Sequence, residues 1–208
     1  MKRVKVISFD AEGTLVTPRF SEMIWREGIP TLFANKNDLD IAIAKREVFN
    51  AYDEVGDQRM EWYDIKYWFD RFDLGSYEDL FNSHRKDICY YPEVSSVLSE
   101  LSKNYRLVIC SNSAREFLDI ITEEIKNRFV RMFSATSDFG ALKNPDLYLS
   151  MCQLLDISTE ELVHVGDSPC FDFDAPQASG IRALYLNRDG GVVGQNQVSN
   201  LNEFAKLF

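Results

Sequence analysis

Asp10 and Glu12 stand one residue apart in the string Phe9-Asp10-Ala11-Glu12-Gly13-Thr14, at the point where an apolar run ends. Similar punctuation recurs later in the chain. Ser111-Asn112 follows the apolar stretch 107–110, and Gly166-Asp167 follows 162–165 with Asp172 shortly beyond. Lys143 lies in a stretch without apolar periodicity. Carboxylates brought together repel one another, so a site holding Asp10 and Asp167 needs a positive partner. An oxygen-only set suits a hard cation, and Mg²⁺ takes a couple of carboxylates while leaving positions for water and phosphate. A hydroxyl, an amide and a lysine beside such a site make a cradle for a phosphoryl group. The N–H groups of Gly13 and Thr14 add potential donors to an anion. Taken alone, the string at 10–14 is equally compatible with a plain strand-ending turn in which Asp10 bonds its own backbone.

These residues can meet only if the elements before them run side by side. Val4, Val6, Ile7 and Phe9 form a β-branched, apolar run too short for a helix, which reads as a buried strand. Further strands are expected at 107–110, weakly at 132–135, at 162–165 and at 183–186. Between them, Val94, Val97, Leu98 and Leu101 recur at helical spacing after Pro92, as do Phe117, Ile120, Ile121 and Ile125. Leu147, Leu149, Cys152 and Leu155 repeat the pattern from Pro145, and 201–208 closes with a short helix. Repeated βα units predict an α/β fold with a parallel sheet and helices on both faces. Parallel strands put all their carboxyl ends on one edge, where ligands bind.

Residues 17–90 have a different character, with no strand signal. Leu39, Ala42, Ile43, Arg46 and Phe49 recur at helical spacing after Asn37 and Asp38 as candidate caps. Trp62, Ile65, Phe69 and Phe72 form a second stripe, and 77–81 a third. An all-helical stretch of this length is too long for one crossover helix. It predicts a separate helical cap whose aromatics, Trp62, Tyr63, Tyr67, Trp68 and Phe69, form its own core. The expected domains are therefore 1–16 with 91–208, and 17–90.

The whole-chain balance limits the partners. Across 208 residues, 45% apolar and 27% charged residues describe an ordinary globular protein. A net charge of −10 leaves no basic excess to displace counterions, which argues against nucleic acid. A few local donors can still hold a small anion. No run reaches the length of a membrane span, and Met-Lys-Arg is followed by a strand rather than a signal-peptide core. Cys89, Cys110, Cys152 and Cys170 are widely spaced, which predicts free thiols in a reducing cytoplasm and argues against zinc. With only His84 and His164, a histidine-dependent mechanism has little to draw on. Gly190, Gly191 and Gly194 mark an expected flexible patch.

In combination the motifs resemble those of haloacid dehalogenase superfamily hydrolases, in the subfamily I branch with a helical cap between the first two motifs. The matching patterns are hhhDxxGT ending at 9–14, hhhSN at 108–112, the lysine at Lys143 and hhGDxxxxD at 163–172. The resemblance is close over the core and extends over the cap only to its position, length and helicity. It implies a Rossmann-like core and a Mg²⁺-dependent phosphatase acting on a small phosphorylated metabolite. Asp10 would be the nucleophile, forming a phosphoaspartyl intermediate, and also a Mg²⁺ ligand. The backbone carbonyl of Glu12 and the side chain of Asp167 would complete the metal site. Ser111, Asn112 and Lys143 would hold the phosphoryl group, and Asp172 would support the site from behind. The chain departs from the pattern in two places. Glu12 occupies the acid/base position where the family's phosphatases usually carry aspartate, and Asn144 follows Lys143 where proline is commoner. A haloacid dehalogenase-type hydrolase, a phosphonate-cleaving enzyme and a catalytically weak binding or regulatory member are the alternatives. The resemblance leaves the oligomeric state open.

Overall fold

A computed structural model describes residues 3–190 and 194–208 of the protein. It divides into two compact units, Met1–Val16 with Tyr90–Phe208, and Thr17–Cys89. The first unit is built on a six-stranded sheet of order β3-β2-β1-β4-β5-β6, with every pairing parallel. The strands are β1 (Val6–Phe9), β2 (Arg106–Ser111), β3 (Arg131–Ser134), β4 (Leu162–Gly166), β5 (Arg182–Leu186) and β6 (Gln197–Val198). β1 lies at the centre, flanked by β2 and β4, and all four of its residues are buried. This two-sided burial is why its sequence is apolar on both faces, Ser8 excepted, instead of alternating. Phe9 is in register with Ile109 of β2 and Val165 of β4, so the residues just beyond it emerge side by side at one edge.

The helices between the strands supply the covering layers. Helix Pro145–Leu154 packs Leu147, Tyr148, Met151 and Cys152 into a cluster with Val6, Val108, Cys110 and Phe133. Asn144 caps it, accepting the N–H of Leu147 at 2.9 Å, and Pro145 occupies a first-turn position where no N–H is needed. Leu149, expected on the buried stripe, is instead 40% exposed, because Tyr148 and Met151 define the inward face. The third strand ends one residue early, at Ser134, whose side chain caps the short helix Ala135–Phe139. Ile125 is buried but lies beyond helix Arg115–Ile121. β6 is only two residues long and has no periodicity to announce it. Gly191, in the expected flexible patch, lies outside the described residues.

The second unit is helical among its described residues. Its first helical stretch, Arg19–Glu22, Met23–Gly28 and Ile29–Asn37, lies inside the segment expected to be all-helical, with Phe20, Ile24 and Ile29 buried. Met23–Gly28 is a wide π-type turn placed just before Pro30, where the chain must do without a backbone donor. In helix Ile41–Val55 the buried face is Ala44, Val48, Ala51, Tyr52 and Val55, rotated from the expected stripe. Small alanines set the inward side and Ile43 is left 38% exposed, so bulk was a misleading guide here. Asp40, rather than Asn37 or Asp38, caps this helix by accepting the N–H of Ala42. Trp68 and Phe69 form the core of the unit, while Trp62, Tyr63 and Tyr67 are half-buried.

Candidate active site

The sequence places Asp10 one residue past β1, and its backbone N–H donates to Val165 O at 2.9 Å, which ties it to β4. The chain then coils tightly. Leu15 and Val16 both donate N–H groups to Ala11 O, and Gly13 N–H donates to Val16 O at 2.8 Å. Gly13 N–H is therefore consumed inside the turn and is not a donor for an anion. Gly13 adopts φ +76°, and a Cβ there would lie 2.0 Å from Asp167 Oδ2. Glycine is required twice over, by conformation and by the closeness of that carboxylate.

Lys143 is the hub of the cluster. Its Nζ donates to Asp10 Oδ1 at 2.6 Å and to Asp172 Oδ1 at 2.5 Å, with all three residues buried. The lysine loop is held by Asn112, whose Oδ1 accepts Lys143 N–H at 2.7 Å. Asn112 thus spends its side-chain oxygen on placing the lysine. Ser111, at the end of β2, accepts the N–H of Ser113 at 3.2 Å and is 3.3 Å from its hydroxyl. Asp172 folds back toward β4, its Oδ2 accepting Ser168 N–H at 3.0 Å. A Cβ on Gly166 would sit 2.4 Å from Asp172 Cγ, so the glycine makes room for the carboxylate.

The electrostatics follow from this crowding. Burial, together with Asp172 and Asp167, raises Asp10 well above the usual carboxylate range, and Lys143 works against that rise. Burial and the charge of Asp172 push Asp167 up to about 6, although the residue keeps a solvent-exposed side. Burial would also raise Asp172, but Lys143 and a hydrogen bond from His164 hold it down, at about 2. Burial opposes charge on Lys143, yet Asp10 and Asp172 keep its ammonium well above the ordinary lysine value. Carboxylate oxygens of Asp10, Asp167 and Asp172 all lie within 4.8 Å of one another, against one ammonium. Such a set of oxygens, carrying excess negative charge, fits a hard divalent cation. Both oxygens of Asp172 are already engaged, which leaves Asp10 and Asp167 to face an ion.

Two groups at this site escaped the sequence reading. His164 is fully buried in β4, with Nε2 at 3.0 Å from Asp172 Oδ1 and Nδ1 at 2.9 Å from Ser8 Oγ. A single histidine in an apolar strand carries no motif. Arg188, just past β5, donates from Nε to Gly13 O at 3.0 Å and from Nη2 to Thr14 O at 2.7 Å. Its Nη1 meets Glu93 Oε1 at 2.8 Å, and its guanidinium stacks over the Tyr91 ring.

The family's sequence pattern, that of a haloacid dehalogenase-like hydrolase, matches residues 4–180, which contain every motif position in this cluster. The chain belongs to the haloacid dehalogenase-like hydrolases. No curated protein matches it in sequence. Among solved structures, a haloacid dehalogenase-family phosphatase from Thermococcus onnurineus is similar at 24% identity and TM-score 0.87, over 98% of this chain and 97% of the other. A putative phosphoglycolate phosphatase from Lactobacillus plantarum is similar at 22% identity and TM-score 0.67, with 100% of both chains covered. A 2-haloacid dehalogenase from Pseudomonas syringae is similar at 21% identity and TM-score 0.62, over 98% and 97% of the two chains. At these identities the likeness shows the shared fold, which carries both phosphatases and dehalogenases. The α/β fold is what the chain and these solved structures have in common.

Proposed function

We propose that this hydrolase is a Mg²⁺-dependent phosphatase that cleaves a small phosphorylated metabolite through a phosphoaspartyl intermediate on Asp10. The observation that carries the reading is the gathering of Asp10, Asp167 and Asp172 within 4.8 Å around the single ammonium of Lys143. A displacement at carbon with a halide leaving group has no use for such an acidic excess. A phosphoryl transfer that needs a cation to bring a carboxylate up to a phosphate does. Asp10, Asp167 and the backbone carbonyl of Glu12 would hold Mg²⁺, which when bound offsets the charge between nucleophile and phosphate.

In the reaction the Asp10 carboxylate attacks phosphorus, forming a new P–O bond as the ester P–O bond breaks. Glu12 protonates the departing alkoxide. Glu12 then takes a proton from the water that attacks the acyl phosphate, releasing phosphate and restoring Asp10. Lys143 and Ser111 hold the phosphoryl oxygens, and Asn112 keeps Lys143 in place. The substrate class is a small phosphate ester, and the 17–89 unit is the part of the chain assigned to selecting it. Four free cysteines suit a reducing cytoplasm. Among the described residues no helix is long and apolar enough to cross a membrane.

The test is a screen of phosphorylated metabolites with phosphate release as readout, run with Mg²⁺ and with EDTA. A brief incubation, acid quench and mass spectrometry then locate the phosphoryl group. Expected are metal-dependent release, a label on Asp10 and no turnover by Asp10→Asn. Halide release from 2-haloacids without phosphate release, or undiminished hydrolysis in EDTA, overturns the reading.

A further inference from the structure

His164 is a buried titratable group at the site to which the proposed reaction gives no task. It stands on β4 directly opposite Ser8 of β1, in the centre of the sheet. Both side chains are inaccessible to solvent. Alternation along β1 puts Ser8 on the same face as Asp10. The imidazole is packed edge-to-face against Tyr148 of helix Pro145–Leu154, with ring centroids 5.1 Å apart. Polar groups are costly in such a place unless each is satisfied. Here they form one continuous chain: Ser8 Oγ to His164 Nδ1 at 2.9 Å, His164 Nε2 to Asp172 Oδ1 at 3.0 Å, Asp172 Oδ1 to Lys143 Nζ at 2.5 Å, and Lys143 Nζ to Asp10 Oδ1 at 2.6 Å.

The direction of every hydrogen in that chain is determined. Lys143 Nζ can only donate, and its charge at 2.5 Å holds Asp172 in the ionised form, so Asp172 accepts from it as a carboxylate. An ionised Asp172 cannot donate to His164, so Nε2 bears the hydrogen. A second proton on Nδ1 would add a buried cation near the Lys143 ammonium, and burial and that charge both oppose it. Nδ1 is therefore bare and accepts the Ser8 hydroxyl. We propose that His164 is a positioning residue: held by Ser8 in the Nε2–H tautomer, it fixes the rotation of Asp172 and so the place of Lys143 Nζ beside Asp10. A residue serving only to fill the core would need neither polar contact. An outer partner that orients a charged group at a reaction centre is worth about ten- to a hundredfold in activity.

The tautomer can be read directly, because the chain has two histidines. In ¹⁵N-labelled protein at pH 7, the imidazole signals are assigned with His84→Gln, which lies in the other unit. The expected spectrum shows His164 neutral with Nε2 protonated, and Ser8→Ala shifts its Nδ1 resonance. An Nδ1–H tautomer or an imidazolium overturns the proposal, and this measurement needs no variant of His164 to fold. In kinetics, which rest on the phosphatase reading, His164→Leu should lower kcat by about tenfold or more with KM changed by less than about twofold. His164→Gln, whose amide can still donate to Asp172, should recover most of the loss. Equal losses in the two variants overturn the positioning role. Absence of any phosphate ester hydrolysis by the wild-type chain defeats the phosphatase reading and leaves the tautomer result standing.

Discussion

Glu12 follows Asp10 by two residues, in the half-buried part of the turn that begins at Ala11. Its carboxyl is one methylene longer than the aspartate usual at this position among the family's phosphatases. If it is the general acid, its worth depends on how badly the leaving oxygen needs a proton. Glu12→Gln should slow hydrolysis of alkyl phosphates by roughly a hundredfold or more. For p-nitrophenyl phosphate, whose leaving group is stable as an anion, the loss should be much smaller. Glu12→Asp should retain activity. Comparing kcat/KM for the two ester types in the two variants checks this. An equal, small loss on both types would leave Glu12 with only a backbone role. Asp10, Lys143 and Asp167 were legible in the sequence because each follows an apolar run or sits in a polar gap. Asn112 was legible as a site residue, but its bond to the Lys143 backbone was not, since nothing in a sequence says which residue an amide faces.

At the scale of elements, the strand ends converge because β1, β2 and β4 are parallel neighbours in register. That much followed from five short apolar runs separated by helical stripes. Elements whose boundaries rest on tertiary contacts were not legible: the two-residue β6, and helix 29–37 with its Pro30 and preceding wide turn. Arg188 belongs to the same class, one of 23 basic residues with no motif around it. Yet it bonds two of the turn's carbonyls, Gly13 O and Thr14 O, while anchored to Glu93 and stacked on Tyr91. Only a guanidinium fork serves all these acceptors at once, so lysine is a poor replacement. Arg188→Lys should lose about 1–3 kcal/mol of stability, read from the denaturation midpoint at unchanged m value, since charged hydrogen bonds to partly buried acceptors are of that size. It should also lower kcat, because the Asp10–Val16 turn loses its brace. A wild-type midpoint and kcat in Arg188→Lys would mean that the turn is self-supporting.

For the molecule as a whole, the acidic cluster works against folding while no cation offsets its charge. In the metal-free protein Asp167 is pushed up to about 6, and Asp10 is raised as well. An unfolded aspartate titrates near 3.9. Between roughly pH 4 and pH 6 the folded state therefore holds protons that the unfolded state has released. Stability then falls as pH rises through that window, and the full Asp167 penalty is present above it. Asp172 has the opposite sign, but its window lies lower, between about 2 and the ordinary value. The expectation is that Asp167→Asn raises the melting temperature at pH 7 in EDTA, because it removes a charge from between two others. In Mg²⁺ that advantage should shrink or reverse, since the wild-type carboxylate then gains a cation and the amide does not. For the wild type, the stabilisation by Mg²⁺ over EDTA should grow from pH 4.5 to pH 7, as more of Asp167 is deprotonated. Differential scanning calorimetry of both proteins in both buffers measures all three quantities. A lower melting temperature for Asp167→Asn in EDTA at pH 7 would show that the crowding of Asp10, Asp167 and Asp172 is relieved without any ion, and the case for a metal centre here would fail with it.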